Sequence, residues 1–409
     1  MVRAMASILD GIKVLDLTRM IAGPLSTQML ADLGATVYKI ERPGEGDDTR
    51  RIGPFLPDAD GRDSTDSAFY IAYNRGKRSV TVDISTPAGA ELLRTLVQQC
   101  DIVVENYKVG NLARYGLGYE QLSALRPDLI YCSVTGFGLS GPYAALPAYD
   151  AIMQGMAGLM STCGQPPGTP GSEPLRTAVP ITDIVTGLHA AVAILGALYH
   201  RQRTGEGQHI DLSLMDTSVA LNGHLATEYL MSGNAPQRNG NANPVSAPSE
   251  VFQCSDGALI VVAGNNRQFA GLCTALGLDG FPSDPRFLRN ADRMARRAEL
   301  HEAIESVTRT LTRAETMARM AAAGVPSGPI NTLEEVFADP QVRHRGMAIA
   351  PESKTGRSVP LVRNPIRFAL TPVQHRAPPS LGEDTEAVLL DELALSKSEI
   401  CSLRDDNII

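Results

Sequence analysis

The first half of the chain alternates short apolar runs with amphipathic stretches, and no other feature constrains the fold as strongly. Gly11–Leu17 (GIKVLDL) is a short run of buried-strand type, and Gly34–Ile40, Ser79–Asp83, Cys100–Glu105 and Leu129–Thr135 repeat it. Helical stretches lie between them. Pro24 to Leu33 puts Pro24 in a first turn, where its missing N–H is not needed. Pro87 to Gln99 has amphipathic helical spacing, with Thr86 available as its cap. Strands alternating with helices predict a parallel sheet covered on both faces. The expected fold class is α/β, with a Rossmann-like open sheet.

The pattern changes after about Asp216. Met231 to Pro248 is rich in Gly, Asn, Pro and Ser and reads as an ordered loop or linker. Glu250 to Ala263 reads as a hairpin around Ser255, Asp256 and Gly257. Charge-laced helical segments follow to Ala323, and Gly324–Pro329 is a second break. From about Arg343 the chain has few periodic helices and closes in a short acidic tail. The expected layout is a large Rossmann-like domain over residues 1–215, a linker and small α+β domain over 216–330, and a return segment over 331–409 that completes the large domain.

Composition removes several functions. The 37 Lys and Arg against 45 Asp and Glu give a net charge of −8, which argues against a nucleic-acid partner held by phosphate contacts. The six cysteines (Cys100, Cys132, Cys163, Cys254, Cys273, Cys401) form no CxxC pair and have no His at ligand spacing. That disfavours a metal site or a disulfide framework and points to a cytoplasmic location. The N-terminus has Arg3, then Asp10, Gly11 and Lys13 before any long apolar run, which is not a secretory pattern. The most apolar stretch, Ala190 to Leu198, is too short to span a bilayer, so no membrane partner is expected.

Gly136-Phe-Gly-Leu-Ser-Gly141 matches GxGxxG after a predicted strand. A dinucleotide site also needs a helix starting in that loop to face the pyrophosphate. Pro142 and Pro147 leave no room for one before about Asp150, so a glycine turn leaving a strand is favoured over an NAD-dependent oxidoreductase. Asp183 opens a strongly helical run that ends near His200. By residue type it reads as a helix cap. The helix macrodipole would also hold it ionised, and an ionised, partly shielded carboxylate is what a covalent nucleophile requires. His189, six residues on, does not share its helical face. Arg42, Lys77, Arg78, Lys108 and Arg114 flank strand ends, where they serve either as solvated charge or as receivers of one ligand's phosphates.

Taken in order, Val14–Pro24, Leu33–Pro43, Asn74–Ser79, Val104–Tyr107, Leu117–Tyr119, Ser133–Gly138, the Asp183 segment and Arg203–Gln208 resemble the class III coenzyme A transferases, the formyl-CoA transferase type. The resemblance covers essentially the whole chain. It implies a large domain made from both chain ends, a small middle domain, and a homodimer interlocked like ring links. It also implies that Asp183 is the catalytic nucleophile, forming aspartyl anhydride and aspartyl-CoA thioester intermediates. Coenzyme A and acyl-CoA are then substrates beside a carboxylic acid, with no metal and no tightly bound cofactor. The positions matching the family's CoA contacts are Met20, Ile21, Ala22, Arg42, Val82, Asn106, Tyr107, Arg114, Tyr115 and Tyr149.

Two departures bear on substrate. Ile21 stands where formyl-CoA transferase has a glutamine, and Pro244–Pro248 lacks that enzyme's glycines. Val262–Phe269 and Ala323–Asn331 look most like the branch using succinyl-CoA with dicarboxylates such as glutarate. A second substrate carboxylate would call for an arginine, and Arg19, Arg51 and Arg238 are candidates; each equally fits a surface or ion-pair role. The same fold hosts α-methylacyl-CoA racemases, but their basic histidine is matched here by Tyr149, a poor base near neutral pH. The remaining alternative is a non-catalytic CoA-binding protein in which Asp183 only caps its helix.

Overall fold

The computed structural model describes residues 7–57 and 63–409, so Arg3 lies outside the described residues. The chain divides into two compact units. The first takes the chain up to Leu159, then Arg176–Gly233 and Arg343–Ile409; the second comprises Met160–Leu175 and Asn234–Val342. Residues 216–233, which the sequence grouped with the middle of the chain, lie in the first unit.

The first unit is built on six parallel strands, β1 (Lys13–Leu17), β2 (Thr36–Glu41), β3 (Arg78–Thr81), β4 (Ile102–Glu105), β5 (Ile130–Thr135) and β6 (Gln208–Ser213), in the spatial order 3-2-1-4-5-6. That is the Rossmann order, and its direction of winding reverses between β1 and β4. Five strands coincide with the five apolar runs. The sixth, QHIDLS, is an edge strand with mostly half-buried residues, so it needs no apolar run.

Alternation along the strands divides the core in two. Val14, Val37, Ile102, Val104, Ile130 and Cys132 face one side, where Leu30, Ala190 and Ile194 cover them. Leu15, Leu17, Tyr38, Ile40, Val80, Val103 and Tyr131 face the other, under Leu93, Leu96 and Leu122. Period-two geometry sends successive side chains to opposite faces, so a sheet covered on both sides must be apolar at nearly every position.

The helices that matter for function are α1 (Ala22–Asp32), α2 (Ala68–Asn74), α3 (Pro87–Val97), α4 (Asp150–Met156), α5 (Ile181–Thr204), α6 (Leu214–Leu221) and α7 (Gly223–Ser232). Thr86 caps α3 by accepting from the Gly89 N–H, as its sequence predicts. No helix starts in the glycine loop after β5; α4 begins at Asp150. α5 corrects one expectation. The apolar stretch around Ala190–Leu198 belongs to a helix of 24 residues, long and apolar enough by length and composition to cross a membrane. Apolar residues continue on both sides of that stretch, and one face, with Ala190, Ala191, Ile194 and Ala197, is buried in this unit.

The expectation of few helices after about Arg343 is also corrected. The C-terminus forms α-helices at Thr385–Leu393 and Lys397–Asp405, the latter started by a Ser396–Glu399 capping box. In the second unit the predicted hairpin forms from Ser249–Cys254 and Gly257–Val262, and Ser327–Pro329 adds a third antiparallel strand. Phe252, Leu259, Val261, Phe269, Leu272, Leu300 and Met320 form its core.

Gly187 sets how closely α5 approaches α1. A Cβ there would lie 2.6 Å from the Ala22 carbonyl oxygen and 3.1 Å from the Leu25 side chain. Gly187→Ala is therefore expected to push the helices apart and cost about 1–3 kcal/mol, although Ala has the higher intrinsic helix propensity. Urea unfolding checks this; a variant as stable as wild type would show that the contact relaxes freely.

Candidate active site

Loops leaving β1, β4 and β5 at their carboxyl ends enclose a cleft of about 560 Å³ at the point where the winding reverses. Open α/β sheets bind ligands at such a point because adjacent loops diverge there. Met20, Ile21 and Ala22 line it from the first loop, Asn106 and Tyr107 from the β4 loop, Tyr149 from the residue before α4, and Asp183 from the first turn of α5. Arg19, Lys108, Thr135, Gly136 and Leu214 also line it.

The first loop is held from two sides. Asn106 donates from Nδ2 to the Arg19 carbonyl at 2.7 Å and accepts the Arg19 N–H at Oδ1 at 2.9 Å. Met20 takes a left-handed backbone (φ 68°), which a non-glycine residue adopts at a cost. Beneath the loop, Lys39 donates from Nζ to Asp47 at 2.7 Å, and Lys77 to Asp16 at 2.9 Å, all four side chains fully buried. Burial alone would depress the Lys39 ammonium, but the Asp47, Asp16 and Glu41 carboxylates outweigh it and hold Lys39 above its ordinary value. Burial dominates at Lys77 and draws it down to about 8 against the pull of Asp16.

Asp183 is the third residue of α5, and the N-cap position is Pro180, which has no side-chain bond to offer. Asp183 is therefore not a cap. Among the described residues its carboxylate accepts no hydrogen bond. Burial first, and then the nearby Asp150 carboxylate, push it up to about 7. The expectation that the helix end holds it ionised is corrected on this point. The free Thr182 N–H of the first turn is already taken by Asp150 at 2.8 Å, which brings a negative charge to that end of the helix. Asp150 was not singled out from sequence, because its partner lies 32 residues on.

The other positions named from sequence lie elsewhere. Arg42 follows β2, is exposed, and pairs with Glu45 at 3.4 Å. Val82 is buried in the core, and Tyr115 packs against the same cluster. Arg114 is exposed on a short turn at Leu112–Tyr115. These four do not line the cleft. Of the three candidate arginines, Arg19 lines the cleft, with its guanidinium 3.1 Å from Asp48. Arg51 pairs with Asp48 at 3.0 Å outside the lining. Arg238 belongs to the second unit, where it donates to the Ser172 carbonyl at 2.9 Å.

A parallel sheet opening on a cleft that contains one poorly solvated carboxylate defines an enzyme site suited to acyl chemistry on a bound ligand. Comparison with known proteins makes this specific. The succinate–glutarate CoA-transferase of Agrobacterium fabrum is 46% identical over 385 residues, 94% of this chain and 95% of that protein. The human succinyl-CoA:glutarate CoA-transferase is 37% identical over 402 residues, 98% of this chain and 90% of that protein. The crystal structure of a CAIB/BAIF family protein from Brucella suis superposes with a TM-score of 0.85 at 46% identity, covering 95% of this chain and all of that one. Residues 9–385 match the model of CoA-transferase family III, and the chain belongs to that family. It is a CoA-transferase, and its substrates are CoA thioesters.

The raised Asp183 has a consequence for stability. The folded state holds this proton more tightly than an unfolded aspartate does, so between about pH 4 and pH 7 folding takes up a proton. Stability on this account falls as pH rises through that window. Asp183→Asn is expected to be more stable than wild type by about 1–3 kcal/mol at pH 8, and by less at pH 5. Thermal unfolding at the two pH values checks the sign; equal stabilities at pH 8 would contradict it.

Proposed function

We propose that this protein transfers CoA from succinyl-CoA to a dicarboxylic acid such as glutarate, with Asp183 carrying the acyl group. The observation that supports this most is the Asp183 carboxylate on the cleft at the sheet's switch point, unpaired among the described residues. The relatives named for succinate and glutarate support the choice of acids.

The chemistry follows from the carboxylate. Ionised Asp183 attacks the thioester carbonyl of succinyl-CoA; the C–S bond breaks, giving a mixed anhydride and CoA thiolate. The thiolate attacks the Asp183 carbonyl of the anhydride, forming an aspartyl-CoA thioester and releasing succinate. The acceptor carboxylate attacks that thioester and regenerates thiolate with a new anhydride. The thiolate then attacks the acceptor's acyl carbon, yielding acceptor-CoA and free Asp183. Each intermediate is as energy-rich as the thioester, so the exchange is nearly neutral provided water is kept out. A desolvated carboxylate gains nucleophilicity in such a site. Met20, Ile21, Ala22, Asn106, Tyr107 and Tyr149 are assigned to CoA on their lining of the cleft. Arg42, Val82, Arg114 and Tyr115 are assigned to the same ligand on the family resemblance alone.

Arg19 suits the second carboxylate of a dicarboxylate. Its pair with Asp48 is about half exposed, so exchanging Asp48 for a substrate carboxylate costs little. The reading includes a homodimer, interlocked as the resemblance implies. It is supported by outward apolar side chains on α5 (Val192, 69% exposed) and α7 (Leu230, 82%; Met231, 84%), which a second copy would cover. It also includes a cytoplasmic location, supported by six free thiols.

Transfer from succinyl-CoA across a panel of mono- and dicarboxylates tests the proposal. Dicarboxylates are expected to be the better acceptors, with Arg19→Ala raising their KM about tenfold and leaving monocarboxylates unchanged. Transfer to monocarboxylates alone would overturn the substrate assignment.

A further inference from the structure

α5 carries the nucleophile but has no cap of its own, since Pro180 offers no side-chain acceptor. A carboxylate from another helix does this work. Asp150, the first residue of α4, is 8% exposed. Its Oδ1 accepts the Thr182 N–H at 2.8 Å and the Thr182 Oγ1–H at 2.6 Å. Its Oδ2 accepts from Gln154 Nε2 at 2.6 Å, and Gln154 Oε1 in turn accepts the Thr177 N–H at 2.9 Å. Thr182 and Gln154 are fully buried. The residue next to the nucleophile is thus gripped at both of its donors.

We propose that Asp150 is the positioning residue of the nucleophile: it seats the first turn of α5 through Thr182, aims Asp183 into the cleft, and sets a second carboxylate beside it. This rests on Asp183 being the nucleophile.

A neutral Asn would satisfy a helix end as well as Asp does, so capping alone does not call for a charge here. The charge acts on Asp183. Two neighbouring carboxylates resist being ionised together, and the one that is better hydrogen-bonded keeps its charge. Asp150 holds three donors and Asp183 holds none among the described residues. Asp183, buried and without a donor to stabilise its charge beside Asp150, takes up a proton near neutral pH. Tyr73 on α2 feels the Asp183 charge, and Arg19, Asp48 and Lys108 are the other charged groups lining the same cleft. α1, α6 and β5 meet the cleft beside Asp183 with Ala22, Leu214 and Thr135, none of them charged. The pH at which transfer switches on is accordingly tuned by Asp150.

The test is the pH profile of kcat/KM for succinyl-CoA, from pH 5 to 9, in wild type, Asp150→Asn, Asp150→Ala and Thr182→Val. Wild type is expected to reach half its alkaline plateau near pH 7. Asp150→Asn keeps an acceptor oxygen for Thr182 but loses the charge, so its half-point moves down by about half a unit to one unit. Asp150→Ala also loses the seat, and its plateau falls about tenfold or more. Thr182→Val keeps the charge, so its plateau falls while its half-point stays with wild type. An Asp150→Asn half-point equal to wild type overturns the proposal whatever happens to kcat, because mere structural damage lowers rates without moving the half-point. If the Asp150 variants fail to fold, Thr182→Val decides: a reduced plateau supports the positioning role, and an unchanged one overturns it. Asp183→Ala is run alongside. Persisting transfer in that variant would remove the nucleophile assignment itself, whereas an inactive Asp183→Ala with an unmoved Asp150→Asn profile removes only the role of Asp150.

Discussion

Two buried ion pairs, Lys77 with Asp16 and Lys39 with Asp47, hold the loop on which the cleft depends. Asp16 lies on β1 among apolar residues of the sheet and is fully buried. A lone carboxylate there would be strongly destabilising. It is kept ionised because Lys77 and the hydroxyls of Thr18 and Thr27 all donate to it. Lys77 also donates to the Pro24 carbonyl in the first turn of α1. Asp47 accepts from Lys39 and, at 3.4 Å, from the Met20 N–H. Charges on β1, β2 and the segment before β3 thereby fix both ends of the turn that presents Met20, Ile21 and Ala22. Removing one partner of a buried pair costs about 3–5 kcal/mol, a large share of the 5–15 kcal/mol that holds a typical domain together. The pairs define one geometry for a loop that apolar packing alone would leave free.

The same logic recurs at Asp183. α5 begins at a proline and takes its cap from Asp150, so its register depends on a hydrogen bond made by another helix. Gly187, one helical turn beyond Asp183, lets α5 close on the first residue of α1. The starts of two helices therefore meet at one cleft, one offering backbone and apolar side chains, the other a carboxylate. That carboxylate is half-buried and unpaired among the described residues. Such a group is costly to keep, and a perturbed carboxylate in a cleft marks a candidate functional site.

How far the sequence revealed this depended on whether the signal was local. The four inner strands were legible because burial on both faces demands apolar runs, the edge strand Arg78–Thr81 because its centre is buried as well, and Thr86 and the Ser255–Gly257 turn because caps and hairpins are local rules. The edge strand Gln208–Ser213 was not, since an edge tolerates polar residues, and the C-terminal helices were obscured by their charge. Asp183 stood out from its place at a helix start and from the family resemblance. A helix end by itself predicts an ionised Asp183; burial first, and then the Asp150 carboxylate supplied by another helix, favour its protonated form instead. Met20, Ile21, Ala22, Asn106, Tyr107 and Tyr149 meet at the cleft, whereas Arg42, Val82, Arg114 and Tyr115 lie beyond its lining. Residue type at a strand end does not tell which way its loop turns. The glycine motif at Gly136 opens no helix: the next one begins at Asp150, and Gly136 lines the cleft where Ala148 packs close against it.

The central claim is that Asp183 becomes covalently loaded. Intact-mass measurement of the protein after incubation with succinyl-CoA, wild type against Asp183→Ala, tests it most directly. An adduct of CoA mass is expected on wild type alone, discharged when a dicarboxylate is added. An adduct of the same mass on Asp183→Ala, or a wild type that transfers CoA without ever carrying one, would contradict it.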